Sequence, residues 1–256
     1  MQTTLFFDID ETLVDNQFSR KALGTLLQEI ADHTGKDVRE LGREMWLENS
    51  RRQKEDPDNV LTMDWDDILD RMAEKYEITL SAKGIDMWRQ FAHIDDVVIY
   101  DNVHDVLDTL KASGYRLMIA TKGLTKYQLP VLEVAGLMDH FEMILAPDVT
   151  GYLKTSPAYF DKYYNQPDMR YVQIGDHYVD DVICPKRNGF TSIMRAPITE
   201  LADHDAFERP QHLVHYQDQI STYPKSGTDV VPDAAVLSLQ ELPDVLSRLE
   251  TMWDSA

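Results

Sequence analysis

Four short segments carry side chains whose types and spacing suit work on a common centre. The first is Asp8-Ile9-Asp10-Glu11-Thr12. Residues i and i+2 of an extended chain point the same way, so Asp8 and Asp10 can converge. Two carboxylates at the end of a buried strand are costly unless they hold a cation or share a proton. A solvated acidic turn is the alternative, and this segment alone leaves both open. The second is Thr121-Lys122-Gly123, a hydroxyl followed by backbone N–H groups that suit an anion's oxygens. Taken alone, a polar strand end explains it better.

The third segment is Gly151-Tyr152-Leu153-Lys154-Thr155-Ser156-Pro157. Lys154 precedes a helix that Pro157 helps to start, which places an ammonium beside an anion site; a lone loop lysine is otherwise simply solvated. The fourth is Ile174-Gly175-Asp176-His177-Tyr178-Val179-Asp180-Asp181. Acids in a helix's first turn complement its dipole, which explains Asp180 or Asp181. It explains Asp176 less well.

The elements that must position these groups follow from periodicity. Thr4 to Ile9 is short, apolar and aromatic, as a strand buried on both faces requires. From about Asp15 to Asp96 the pattern is helical. Leu23, Leu26, Leu27 and Ile30 mark one stripe, and Trp65, Ile68, Leu69, Met72 and Tyr76 another, with Thr62 as N-cap and a turn at 56–59. From Val97 strands and helices alternate. Val103 to Ala112 is a helix closed by Gly114, Arg116 to Ala120 a strand, Leu129 to Ala135 a helix ending at Gly136, and Met143 to Leu145 a strand. A helix from Pro157 to about Tyr164, strands at Tyr171 to Ile174 and Thr191 to Met194, and a helix ending near Gly189 follow. Residues 201–232 lack periodicity and read as a long loop or small insertion; a strand from Ala234 and a helix from Pro243 close the chain. Such alternation implies a parallel sheet covered by helices. In that arrangement the four segments fall at or just beyond strand C-termini, where such sheets do their chemistry.

Composition sets outer bounds. The 256 residues hold 25 Lys+Arg and 45 Asp+Glu, a net charge of −20, with 43% apolar residues. That is globular composition, and the charge argues against nucleic acid or an anionic membrane as partner. It leaves a small anionic substrate open, because a bound cation and one or two lysines reverse the local potential. Cys184 is the single cysteine, which excludes a disulfide framework and a thiolate metal cluster. With no signal-like or membrane-length apolar run, a soluble cytoplasmic protein is expected.

Together the four segments are far more specific than any one. Asp8 to Thr12 reads DxDxT, Thr121 follows an apolar strand, Lys154 stands in a KxxP-like loop, and Gly175 to Asp181 reads GDxxxDD. In that order the chain resembles the haloacid dehalogenase superfamily, over residues 1–14 and 97–250. The resemblance implies an α/β fold, a Rossmann-like doubly wound parallel sheet. Residues 1–14 and 97–256 would form the core, and residues 15–96 a helical cap inserted after the first strand, its type-1 character inferred from position alone.

The resemblance also implies roles. Asp8 is the nucleophile that forms an aspartyl-phosphate, and Asp10 the general acid and then base. Thr121 and Lys154 hold phosphoryl oxygens, and Lys122, outside the family pattern, is a further candidate beside the phosphate. Asp8, the backbone carbonyl of Asp10, and Asp176 ligate Mg²⁺. Asp181 is favoured over Asp180 as the further metal-supporting acid, because it lies eight residues before Gly189, a spacing that family shows. The expected function is a Mg²⁺-dependent phosphatase acting on a small phosphorylated metabolite. A phosphomutase, or a non-catalytic binding module on the same scaffold, is the alternative. Asp10 counts against a dehalogenase, since halide leaves without a proton and the family's dehalogenases lack that acid and the metal.

The chain departs from the family pattern in places. Lys122 stands where many members have Asn, near the phosphate or facing solvent. Thr155 follows Lys154 in place of Pro. The 201–232 stretch is atypical and suits a partner surface or a lid. Trp46, Trp65 and Trp88 read as cap core, with Trp46 the best candidate to line a pocket. His177 either faces the substrate or, the better fit, is exposed, and His212 and His215 are too few for a metal site. Arg43, Arg51, Arg52 and Lys54 either reach a substrate's anionic tail or, the better fit, form a solvated helix face. Either a monomer or a dimer fits.

Overall fold

The computed structural model describes residues 1–56, 59–161, 166 and 168–255. Strand β1, Gln2–Phe7, is the sheet's centre. Its side chains alternate between two buried faces. Leu5 and Phe7 join one core cluster with Leu107, Leu110 and Leu246, while Phe6 joins another with Met118, Tyr159, Phe160 and Phe190. Burial on both faces is why the segment is a continuous apolar run without alternation.

The chain leaves β1 through a short ribbon. Strand β2, Val14–Asn16, pairs antiparallel with β3, Val97–Ile99. Between them, among the described residues, lie helices α1 (Gln17–Thr34), α2 (Val38–Glu55), α3 (Trp65–Lys75) and α4 (Gly84–Phe91). Side-chain caps start three of them. Asn16 accepts from Ser19 N–H, Asp37 from Arg39 N–H, and Asp64 from Asp66 N–H. Gly35, at φ 74°, ends α1. The stripe Leu26, Leu27, Ile30 is buried, as is Trp65, Ile68, Leu69, Met72. Asp64, not Thr62, caps α3; Thr62 is buried inside a preceding 3₁₀ turn, Val60–Met63. Residues 57 and 58 of the turn expected at 56–59 lie outside the described residues.

Past β3 the chain alternates. Helix α5 is Val103–Ala112, β4 Arg116–Ala120, α6 Thr125–Val134, β5 Met143–Leu145, α7 Pro147–Thr150 and β6 Met169–Gly175. A π-helical turn, Tyr178–Ile183, runs into α8, Cys184–Arg187. Then come β7 (Thr191–Arg195), β8 (Ala234–Val236) and α9 (Leu242–Asp254). The sheet order is β5-β4-β1-β6-β7-β8, every pair parallel. Because the chain first builds outward through β4 and β5 and then returns to the other side of β1, the order reverses there. That reversal opens a crevice at the strands' C-terminal ends.

Two expectations need adjustment. After Pro157 there is a 3₁₀ turn, Pro157–Tyr159, and the end expected near Tyr164 lies outside the described residues. The 201–232 stretch is ordered by two 3₁₀ segments, Thr199–Leu201 and Arg209–Tyr216. Leu201, Leu213, Ile220 and Tyr223 pack on Tyr178, Val182 and Met194. A 3₁₀ repeat of three residues leaves no helical stripe for sequence periodicity to show. No described helix is long and apolar enough to cross a membrane.

Leu5 is fully buried at the sheet's centre. Leu5→Ala is expected to cost about 2–5 kcal/mol through lost transfer energy and an unfilled cavity. Urea unfolding should then show a lower midpoint at unchanged slope.

Candidate active site

The site begins where β1 ends. Asp8 N–H still donates to Ile174 O at 2.9 Å, so its backbone is held in sheet register. The chain then folds around one carbonyl: Ile9 O accepts from the N–H groups of Thr12, Leu13 and Val14 at 3.3, 2.8 and 3.2 Å. Closing so tight a turn puts Glu11 at φ 59°, in the left-handed region. A salt-bridged arginine secures it. Arg195, at the end of β7, donates from Nη1 to Glu11 O at 3.0 Å and from Nε to Asp101 Oδ2 at 3.1 Å. Its guanidinium lies 4.2 Å from the Tyr100 ring centroid, and Tyr100 OH donates to Glu11 Oε2. Arg195 thus ties together both segments that join the helices of 17–91 to the sheet.

Lys154 is 1% exposed, and its ammonium donates to Asp8 Oδ1 at 2.7 Å and sits 2.6 Å from Asp181 Oδ1. Asp181 is further held by Gln173 Nε2 and by His177 N–H, each at 2.9 Å. The glycine before Asp176 makes that placement possible. A Cβ on Gly175 would lie 2.1 Å from Asp181 Cγ. Asp176 accepts from Thr12 Oγ1 at 3.2 Å. Among the described residues, Asp8, Asp176 and Asp181 can each bring a carboxylate oxygen within 4.8 Å of the others.

Electrostatics follows from burial. Desolvation pushes Asp8 up to about 6 against the pull of Lys154, and pushes Asp176 up to about 8 with help from Asp8 and Asp181. Burial alone would lower Lys154, but Asp181 and Asp8 outweigh it and hold the amine protonated. One ammonium cannot pair with three carboxylates, and the raised Asp8 and Asp176 express that surplus of acidic groups. An all-oxygen donor set with surplus acidic groups suits a hard divalent cation. The residues present therefore fit Mg²⁺.

Asp10 stands apart from that trio. Gln128 Nε2, in the first turn of α6, donates to Asp10 Oδ2 at 2.8 Å. Burial pushes Asp10 up to about 6, with Gln128 opposing and Asp8 adding to the rise. Gln128 reaches it across Gly123, where a Cβ would meet Gln128 Nε2 at 2.3 Å. Thr121 is buried at the end of β4, its N–H donating to Leu145 O and its Oγ1 accepting from Gly123 N–H at 3.2 Å. Lys122 does not simply face solvent: its ammonium lies 3.3 Å from Asp180 Oδ2. Asp180, also near His177 Nδ1 at 3.3 Å, is not in the carboxylate trio, whereas Asp181 is.

Asp8, Asp10, Thr121, Lys122, Asp176 and Asp180 open on a cavity of about 620 Å³. His177 lines it too, where the sequence suggested exposure. Helices α1 to α3 form its far wall, and the 219–222 segment reaches its rim through Ser221 and Thr222, fastened by Tyr178 N–H donating to Thr222 Oγ1. The helical unit is seated on the sheet by polar contacts. Lys126 Nζ bonds Asp64 Oδ1 at 2.7 Å and Asp66 Oδ2 at 2.9 Å, and Tyr127 OH donates to Asp64 Oδ1. Arg51 and Arg52 are instead engaged within the helices by Glu48, and neither they nor Arg43 and Lys54 line the cavity. Trp65 and Trp88 are buried as expected, while Trp46 is 56% exposed and lines the cavity.

Sequence reasoning missed Gln128, Arg195 and Gln173. A charged residue closing the apolar strand 191–194 was a readable signal for Arg195. Gln128 and Gln173 carry none, because a lone amide looks alike on any surface.

A model of haloacid dehalogenase-like hydrolases matches residues 3–189. The chain is 26% identical over 233 residues to glyceraldehyde 3-phosphate phosphatase of Methanothermobacter thermautotrophicus, covering 86% of this chain and 97% of that protein. It is 22% identical over 158 residues to phosphoglycolate phosphatase of Aquifex aeolicus; that match covers 60% of this chain and spans 65% of the Aquifex protein. A solved HAD phosphatase from Thermococcus onnurineus superposes with a TM-score of 0.68 at 20% identity, covering 96% of this chain and 98% of that one. 2-Haloacid dehalogenase structures share the fold as well. At such identities the structural likeness speaks to fold alone. The family match covers most of the chain, and the chain belongs to the haloacid dehalogenase-like hydrolases.

Proposed function

We propose that this protein is a Mg²⁺-dependent phosphatase that hydrolyses a small phosphorylated metabolite through an aspartyl-phosphate on Asp8. One observation carries the reading. Asp8, with one oxygen fixed by Lys154, and Asp10, held by Gln128, open on the same cavity. The oxygen of Asp8 that Lys154 leaves free attacks phosphorus, the bond from phosphorus to the leaving oxygen breaks, and Asp10 gives that oxygen its proton. Asp10 then takes a proton from the water that attacks the aspartyl-phosphate. Inorganic phosphate departs and the Asp8 carboxylate is restored.

An acid poised near 6 can serve in both protonation states at neutral pH. Thr121, Lys154 and Lys122 would hold the phosphoryl oxygens. Asp8, Asp176, Asp181 and the backbone carbonyl of Asp10 would hold Mg²⁺, with Asp180 positioning Lys122 and His177 nearby. The bound ion supplies charge neutralisation, so that an anionic carboxylate can approach an anionic phosphate. The helices between β2 and β3 act as a cap that covers the reacting centre and keeps bulk water out.

Dehalogenation is the second chemistry found on this fold. It needs no proton for the departing halide, so it gives no work to Asp10 and no reason for a cluster of three carboxylates beside a buried lysine. The relatives named as phosphatases of phosphoglycolate and glyceraldehyde 3-phosphate point the same way.

Phosphate release measured over a panel of phosphate monoesters tests the reading. Activity should require Mg²⁺ and vanish with EDTA; undiminished turnover after chelation, or turnover of 2-chloropropionate, would overturn it. Asp8→Asn should lower kcat at least about 10³-fold, and Asp10→Asn by about 10²–10⁴-fold. Gly175→Ala displaces Asp181 by steric contact. It should raise the Mg²⁺ concentration for half-maximal activity by about 10- to 100-fold, read from a Mg²⁺ titration.

A further inference from the structure

The cavity's two ends differ in chemistry. The sheet end is polar and acidic, while the helical end is built from Leu23, Leu27, Met45, Trp46, Trp65 and Trp88. Trp46 and Trp65 meet edge to face at 5.0 Å, and Trp46 presents its ring to the opening. At about 620 Å³ the space is that of a drug-sized ligand, far more than a phosphate with a two- or three-carbon tail fills.

Among the described residues the cavity offers no unpaired cation for a second anion. Its cations are Arg20 and Lys122. Arg20 is bound by Asp15 at 2.6 Å and Glu11 at 3.5 Å, and Lys122 lies beside Asp180. Glu11, Asp15 and Asp180 all line the same space, so a carboxylate beyond the phosphate would meet repulsion.

Building on the phosphatase reading, we infer that the substrate is a phosphate monoester of an uncharged, bulky aromatic alcohol. The aromatic group rests on the tryptophans and the phosphate lies against Asp8. Apolar burial then favours the large leaving group.

Primary alkyl phosphates with similar leaving-group basicity test this without bias from leaving-group chemistry. They are ethyl phosphate, phosphoglycolate and 2-(1-naphthyl)ethyl phosphate. The naphthyl ester should exceed ethyl phosphate and phosphoglycolate in kcat/KM by about tenfold or more. Trp46→Ala, at an exposed ring, should cut that ratio severalfold. Equal or better turnover of phosphoglycolate or ethyl phosphate overturns the inference and leaves the phosphatase reading standing. Calorimetry of ester binding to Asp8→Asn with Mg²⁺ separates the reverse case. If no ester is hydrolysed yet the naphthyl ester binds about tenfold tighter than ethyl phosphate, the apolar site stands and the phosphatase reading falls. Equal binding of the two overturns the inference.

Discussion

The buried ammonium of Lys154, clamped between Asp8 and Asp181, is the constraint on which the site depends. Taking three charges out of water is expensive, and only close ionic contact makes it tolerable. At 2.7 and 2.6 Å from its two carboxylates, the lysine meets that condition. In return it fixes one oxygen of Asp8 and leaves the other directed elsewhere. It also draws the loop after β5 and the turn after β6 toward β1, so that groups 146 and 173 residues apart from Asp8 share one centre. Compensation remains partial, since Asp176 and Asp181 add more acidic groups than one lysine can pair. The surplus is what makes this a place for a cation.

The second constraint is how the helices of 17–91 meet the sheet. Their contact is polar where it is directional, through Lys126 and Tyr127 against Asp64 and Asp66, and aromatic where it is broad, with Trp88 on Tyr127 at 5.0 Å. Asp64 is the hinge between local and global structure. It caps α3 by accepting from Asp66 N–H and also receives the lysine and the tyrosine. A single carboxylate thus starts a helix and docks it. Because α6 also carries Gln128, the helix that receives the cap is the one that holds Asp10, which joins seating of the far wall to the acid on the near wall.

Much of this was readable in the residues. A run such as Thr4 to Ile9 has no amphipathic period, and burial on both faces accounts for it; Arg116–Ala120, Met143–Leu145 and Val103–Ala112 coincide with their sequence boundaries because Gly114 and flanking polar residues punctuate them. Asp8, Asp10, Lys154 and Asp176 could be named because their segments, ambiguous one by one, follow strand ends in the order that the haloacid dehalogenase superfamily shows. Asp180 and Asp181 are the same residue type one position apart; the spacing to Gly189 favoured Asp181, and it is Asp181 that faces Lys154, at the π-helical turn. The remainder was illegible for physical reasons. Thr62 and Asp64 are both able caps, and packing of Thr62 beneath α2 settled between them.

Arg195 shows how positioning reaches beyond the reacting groups. The chain must leave the sheet immediately after Asp10, travel through four helices and return near Tyr100, so the two crossings are mechanically adjacent to the acid. Left loose, they would let any swing of the helices pull on Asp10. Arg195 bonds the Glu11 carbonyl on the outgoing segment and the Asp101 carboxylate on the returning one. Asp101 in turn accepts from Leu239 N–H beyond β8. The guanidinium, fixed at the end of a parallel strand, therefore anchors both crossings to the rigid sheet.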